Sequence, residues 1–158
     1  MSGTTNVPSV YVIIKDGSKA LFVPRSNTGF NDGQYAVPSG HVEDDETFRK
    51  AAVRELKEEV GLTVNEANLE YQATIQRKGP DDIRVDVWFE SNVWQGRPIN
   101  AEPEKHSMIE WLDITSLPQN VVDYMSYGIE QIKTLLPYKF ARPGLMIFVQ
   151  NSQSVPVA

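Results

Sequence analysis

Cysteine is absent from this chain, which removes disulfides, thiolate nucleophiles and cysteine zinc sites from consideration. No apolar run is long enough to span a bilayer, and the first residues carry no signal-peptide pattern. A cytoplasmic location is therefore the expectation. Basic residues are in the minority: 15 Lys and Arg stand against 21 Asp and Glu, a net charge of −6. That balance argues against a broad basic face for nucleic acid. It leaves room for a small polyphosphate, because divalent metals can bridge two anions. Internal repeats and long like-charge runs are also missing. At 158 residues and 41% hydrophobic content, the chain reads as one domain, 1–158, with 1–7 and 150–158 as loose tails.

One stretch carries the chemistry: Gly40 to Leu62, GHVEDDETFRKAAVRELKEEVGL. From Glu46 to Val60 there is no Gly or Pro, and Ala51, Ala52, Leu56 and Lys57 are good helix formers. Gly61 stands where a helix end favours a left-handed residue. Glu55, Glu58 and Glu59 fall at i, i+3 and i+4, so they crowd one arc of the helix. Ala52, Val53, Leu56 and Val60 occupy the neighbouring arc and face the core. Like charges at this spacing repel, and the helix dipole disfavours anions near the C-terminal end. A cluster so placed costs stability unless a cation sits in it. Carboxylate oxygens, with no Cys and no His within the cluster, select Mg2+ or Mn2+ over zinc. On spacing alone the alternative is a solvated acidic face.

Around this helix the pattern predicts strands at Val10–Ile14 and Ala20–Val23, joined by a turn at Asp16-Gly17-Ser18. Ser26 to Gln34 reads as a polar loop, followed by short extended pieces at Tyr35–Val37 and His41–Val42. Leu69–Arg77 and Ile83–Trp94 read as longer strands flanking Gly79-Pro80-Asp81-Asp82, with Arg84, Asp86 and Glu90 on a polar face. Met108–Leu112 is a short strand and Asn120–Leu136 a second helix. Leu145–Val149 is an apolar segment suited to a strand or an interface. Strands on both sides of a helix, with a late second helix, give an α/β layered domain.

Gly40, Glu46, Arg54, Glu55, Leu56, Glu58, Glu59, Gly61 and Leu62 fill the pattern G-x5-E-x7-R-E-U-x-E-E-x-G-U, where U is aliphatic. With seven fixed letters and equal residue usage, chance supplies this on the order of once per billion start points. The pattern resembles the signature of the Nudix hydrolases. The resemblance implies an α/β/α sandwich with a mixed sheet, and hydrolysis of a nucleoside diphosphate linked to another moiety. It also implies Mg2+ or Mn2+ as cofactor and a small nucleotide as substrate, and it leaves a homodimer open, since many family members pair. On this pattern Glu58, Glu59 and the carbonyl of Ser39 are metal ligands, and Glu55 is a ligand or a base. Arg54 orients Glu55, and Glu46 supports the motif's geometry. Two positions where the family usually has Gly hold Ser39 and Asp45 instead.

Outside the box the resemblance offers fewer anchors. Glu102 and Glu104 are candidates for one further catalytic acid, with Glu104 favoured. Arg25 matches a phosphate-binding Arg of MutT-type members. Asn120 reads either as their purine-reading Asn or as a helix cap. His41 and His106 read as packing or solvent residues. Phe30, Tyr35 and Trp88 suit base stacking or core packing. The favoured substrate is a (deoxy)nucleoside triphosphate, cut to monophosphate and pyrophosphate. Nucleotide sugars, ADP-ribose foremost, come next, and a catalytically silent sensing module is the remaining alternative.

Overall fold

The structure, a computed structural model, describes residues 5–78, 82–135 and 146–149. Its organising element is β1 (Thr5–Asp16), which turns at Gly17 (φ 60°) into the antiparallel β2 (Lys19–Pro24). On its other side β1 runs parallel to β6 (Asp82–Ser91) in an unbroken register from Thr5↔Asp82 to Ile14↔Ser91. β5 (Glu70–Lys78) lies antiparallel beyond β6, and β8 (Met146–Val149) lies parallel beyond β5. β3 (Tyr35–Ala36) and β7 (Glu110–Asp113) pair with β2, and β4 (Ser39–His41) pairs with Ser9–Tyr11 of β1. The order β3-β2-β1-β6-β5-β8, with β4 on β1 and β7 on β2, is a mixed sheet.

Side chains alternate across the sheet, and each face takes one helix. α1 (Phe48–Val60) packs on β1 and β4, burying Ala51, Ala52, Leu56, Glu59 and Val60. On the other face Tyr11 stacks on Trp88 at 4.7 Å between centroids and meets Tyr124 of α2 (Asp123–Leu135) edge-on at 6.2 Å. Gly128 lets α2 settle onto this face, since a Cβ there would stand 2.5 Å from Trp88 Cζ2. The α/β/α sandwich expected from the resemblance is therefore the fold observed. Among the described residues no helix is long and apolar enough to cross a membrane.

Several boundaries differ from the sequence reading. Thr5–Val7 belong to β1 and not to a loose tail, because pairing with Asp82–Arg84 satisfies their backbone without an apolar face. α1 starts two residues later than Glu46. Asp45 sits left-handed at φ 67°, and Thr47 caps the helix by accepting from Lys50 N at 3.2 Å. α2 starts at Asp123, three residues beyond Asn120, so Asn120 is not its cap. Asp86, expected on a polar face, is 1% exposed. The apolar C-terminal segment contributes β8, while Gly79, Pro80 and Asp81 lie outside the described residues.

Candidate active site

The box folds as loop, helix, loop, and its centre is Arg54. Its guanidinium donates from Nε to Glu46 Oε2 (3.1 Å) and from Nη2 to Glu46 Oε1 (2.7 Å), a bidentate clamp. Nη1 donates to Glu55 Oε1 (2.7 Å) and Glu58 Oε2 (3.0 Å), and Nη2 also reaches the His41 carbonyl (2.9 Å). Glu46 in turn accepts from Glu43 N (2.9 Å), so the loop before α1 is tied to the helix. One side chain thus fixes two acids of the acidic arc and the strand end that faces them.

Glu59 is reached from the other side. Its Oε2 accepts from Ser39 N (2.9 Å), and its Oε1 lies 3.4 Å from His106 Nε2. Ser39 is not among the residues with positive φ, so Ser in place of the usual Gly is accommodated without backbone strain. Asp45, the other departure, does take the left-handed conformation, which Asp tolerates better than most residues. Gly40 leaves room for Glu55: a Cβ at position 40 would fall 1.9 Å from Glu55 Oε1.

Glu55 and Glu59 hold their protons more tightly than an ordinary carboxylate. Burial pushes Glu55 up to about 7, the Arg54 hydrogen bond opposes the rise, and Glu59 and Glu58 add to it. Glu59 is raised as well, first by burial, with His106 pulling the other way. The Glu58 side chain remains half exposed at 51%. Carboxylate oxygens gathered on one arc of α1, two of them disfavoured as ions by burial, are a fitting donor set for a divalent cation. Glu55, Glu58, Glu59 and the Ser39 backbone are thus brought to one edge.

The residues outside the box divide. Glu104 is exposed, and its backbone carbonyl accepts from Asn27 Nδ2 at 3.5 Å. Glu102, and not the favoured Glu104, approaches the box: its Oε2 lies 3.8 Å from His106 Nε2. Arg25 turns back into its own loop, donating to the Phe30 carbonyl (2.8 Å) and Thr28 Oγ1 (3.3 Å), with Cζ 5.8 Å from the Phe30 ring. Asn120 is exposed and donates to the Gly33 carbonyl (3.3 Å), while its own carbonyl accepts from Tyr35 N (2.8 Å). That docks the turn before α2 onto the segment leading into Ser39. Trp88 is core, Phe30 is 57% exposed, and Tyr35 donates to Glu110 Oε2 at 2.5 Å.

Sequence reasoning missed the place of His106. It is 4% exposed and sits against Glu59, 47 residues earlier in the chain. Its loop neighbour Glu102 was the only nearby signal.

Comparison with known proteins agrees with this geometry. The family model described as NUDIX domain matches residues 5–131. An ADP-ribose pyrophosphatase of Methanocaldococcus jannaschii is 32% identical over 119 residues, covering 74% of this chain and 69% of that protein. An NAD-capped RNA hydrolase of Vibrio atlanticus is 28% identical over 70% of this chain, which spans only 39% of that relative's length. The crystal structure of a MutT NUDIX hydrolase from Burkholderia pseudomallei superposes with a TM-score of 0.73 at 20% identity, covering 80% of this chain and 98% of that one.

Proposed function

The chain belongs to the NUDIX domain family, and from that membership we propose a divalent-metal-dependent pyrophosphohydrolase whose substrate is a (deoxy)nucleoside triphosphate. The observation that carries the catalytic reading is Arg54, which holds Glu46, Glu55 and Glu58 together beside a buried Glu59. All the box carboxylates are kept, whereas silent sensing modules typically lose them.

Glu55, Glu58, Glu59 and the Ser39 carbonyl would hold Mg2+ or Mn2+. When bound, such a cation neutralises phosphate oxygens and acidifies a bound water. Arg54 keeps Glu55 and Glu58 from drifting apart. Glu55, with a proton affinity near neutrality, is placed to accept the proton that an attacking water gives up. Glu102 would supply the acid from outside the box, the role the sequence reading gave first to Glu104. Arg25, through the loop it shapes, and Asn120, at the surface beside Tyr35, would bind the substrate. Cleavage would release a nucleoside monophosphate and pyrophosphate.

A second reading, hydrolysis of ADP-ribose, is favoured by the 32% identity to the Methanocaldococcus jannaschii enzyme. Product analysis on a panel of triphosphates, ADP-ribose, NADH and dinucleoside polyphosphates, with Mg2+ and then Mn2+, separates the two. Monophosphate plus pyrophosphate from triphosphates alone supports the first reading. AMP plus ribose 5-phosphate moves the assignment to the second. No turnover with either metal overturns both.

A further inference from the structure

The arginines around the box differ in how far their donors are committed. Arg54 is shared among Glu46, Glu55, Glu58 and the His41 carbonyl. Arg25 turns into its own loop, Arg49 donates to the Glu66 and Leu69 carbonyls, and Arg77 is paired with buried Asp86. Arg84 of β6 is held more loosely. Its side chain is 30% exposed, and among the described residues its only ion pair is with Asp82 Oδ2, at 2.8 Å. A partly exposed pair of this kind adds little to stability, so the fold does not require the guanidinium at that spot.

What aims Arg84 is a histidine of the box. Arg84 Nη1 lies 3.2 Å from His41 Nε2. A guanidinium has no acceptor, so it donates, and the imidazole nitrogen accepts. His41 is then a neutral ring with its proton on Nδ1. The residue is exposed, but it is fixed to the acidic arc through its carbonyl, which accepts from Arg54 Nη2 at 2.9 Å. It also follows directly on Gly40, the residue packed against Glu55. Its strand partner Ser9 stands beside Asp86, two residues along β6 from Arg84 and therefore on the same face. Arg84 thus reaches across β1 to the strand end beside the box and brings N–H donors there.

We infer that Arg84 binds a phosphate group of the substrate, with His41 as the positioning residue that aims its guanidinium. The inference rests on the pyrophosphohydrolase reading, and it holds equally for a triphosphate and for ADP-ribose, since each carries at least two phosphate groups. Charge balance favours it. The box sets Glu46, Glu55, Glu58 and Glu59 against Arg54, so a polyanion approaches a site that is itself negative. Cations held by those carboxylates would neutralise only the phosphate oxygens they touch. A phosphate beyond them needs a fixed cation of the protein, and a planar guanidinium matches two phosphate oxygens at once. Exchanging the Asp82 pair for that contact sacrifices little.

The test is a calorimetric titration of the full-length protein with imidodiphosphate, a non-hydrolysable pyrophosphate, in the presence of Mg2+. The parent is compared with Arg84→Gln, Arg84→Lys and Asp82→Asn, beside steady-state kinetics on whichever nucleotide is turned over. Arg84→Gln should weaken imidodiphosphate binding and raise KM by about tenfold to a hundredfold, the scale of a hydrogen bond to a charged group, with kcat changed less. Arg84→Lys keeps the charge without the fork and should fall between the two. Asp82→Asn separates binding from architecture. It breaks the same ion pair, yet it should bind imidodiphosphate at least as tightly as the parent. Parent-like binding by Arg84→Gln, or equal weakening by Asp82→Asn, would overturn the subsite. So would a parent that binds no imidodiphosphate at about millimolar concentration. Should Arg84→Gln fail to fold by thermal melt, Arg84→Lys decides in its place: weaker binding than the parent supports the subsite, and parent-like binding overturns it. Weakened imidodiphosphate binding by Arg84→Gln, in a protein whose parent turns over no nucleotide, would leave the phosphate subsite standing and count against the hydrolase reading. Normal turnover with unchanged binding and KM would do the reverse.

Discussion

Gly40 lies so close beneath Glu55 that a Cβ would stand 1.9 Å from Oε1 and 2.1 Å from the carboxyl carbon. Glu55 has little freedom to give way, because its side chain is 13% exposed and its Oε1 is held by Arg54 at 2.7 Å. Gly40→Ala is therefore expected to displace the carboxylate and leave the sheet in place. A misplacement of about 1 Å at a reacting group costs on the order of a hundredfold in rate. Steady-state kinetics beside a thermal melt checks this. A variant with parent-like kcat would show that Glu55 does not act from the position observed.

Arg54 offers a sharper contrast because Lys keeps its charge. A lysine cannot reproduce a fork that spans Glu46, Glu55, Glu58 and the His41 carbonyl. Arg54→Lys should lower kcat by one to two orders of magnitude, roughly the scale of losing oriented catalytic groups, with a smaller change in KM. In a double-mutant cycle with Glu46→Gln, about 0.5–3 kcal/mol of coupling is expected from urea unfolding, as for residues in one network. Strict additivity of the two changes would sink the idea that the clamp acts as a unit.

The acidic arc predicts a pH dependence of stability in the absence of metal. Glu55 and Glu59 hold protons more tightly when folded than an ordinary carboxylate, with its pKa of about 4.3. Their favourable contribution is complete below that value and is lost as pH rises, through about 7 for Glu55. Melting temperatures measured in chelator should fall across this window, and Mg2+ or Mn2+ should restore stability at its upper end. Glu55→Gln should flatten the slope. A melting temperature in chelator that climbs steadily from pH 5 to 7.5 would contradict the assignment.

The acidic helix α1 was legible because its determinants are local. Carboxylate spacing, the absence of Gly and Pro, and a C-terminal Gly at φ 70° all lie within one window of sequence. The parts that were misread depend on partners far along the chain. Thr5–Val7 look like a tail until β6 is laid beside them. Asn120 looks like a cap until its side chain is found on Gly33, 87 residues away. Glu102 and Glu104 are indistinguishable as loop acids, and only the turn that carries His106 inward decides which one meets Glu59. Periodicity reports which face a residue occupies and is silent about long-range polar pairing. The same limitation hid Asp86.

Asp86 was expected to face water because it alternates with apolar neighbours, yet its side chain is 2% exposed. Burial pushes its carboxyl up, and Arg77 opposes the rise. Arg77 Nε donates to Asp86 Oδ2 at 2.5 Å, Nη2 donates to the Tyr11 hydroxyl at 3.2 Å, and Cζ lies 3.9 Å from the Tyr124 ring centroid. The guanidinium thereby links β5, β6, β1 and α2 on the face opposite α1. Removing one partner of such a pair leaves a buried charge uncompensated, at a cost of about 3–5 kcal/mol. Arg77→Met is expected to destabilise by that amount in urea unfolding. Adding Asp86→Leu should recover much of the loss, because replacing both partners with apolar groups removes the desolvation penalty. The double variant should also keep its box chemistry, since neither residue contacts Glu55, Glu58 or Glu59 among the described hydrogen bonds and ion pairs. If Arg77→Met were neutral, Asp86 would have to be protonated in the native state, and the pair would be a neutral hydrogen bond with no ionic role in docking α2.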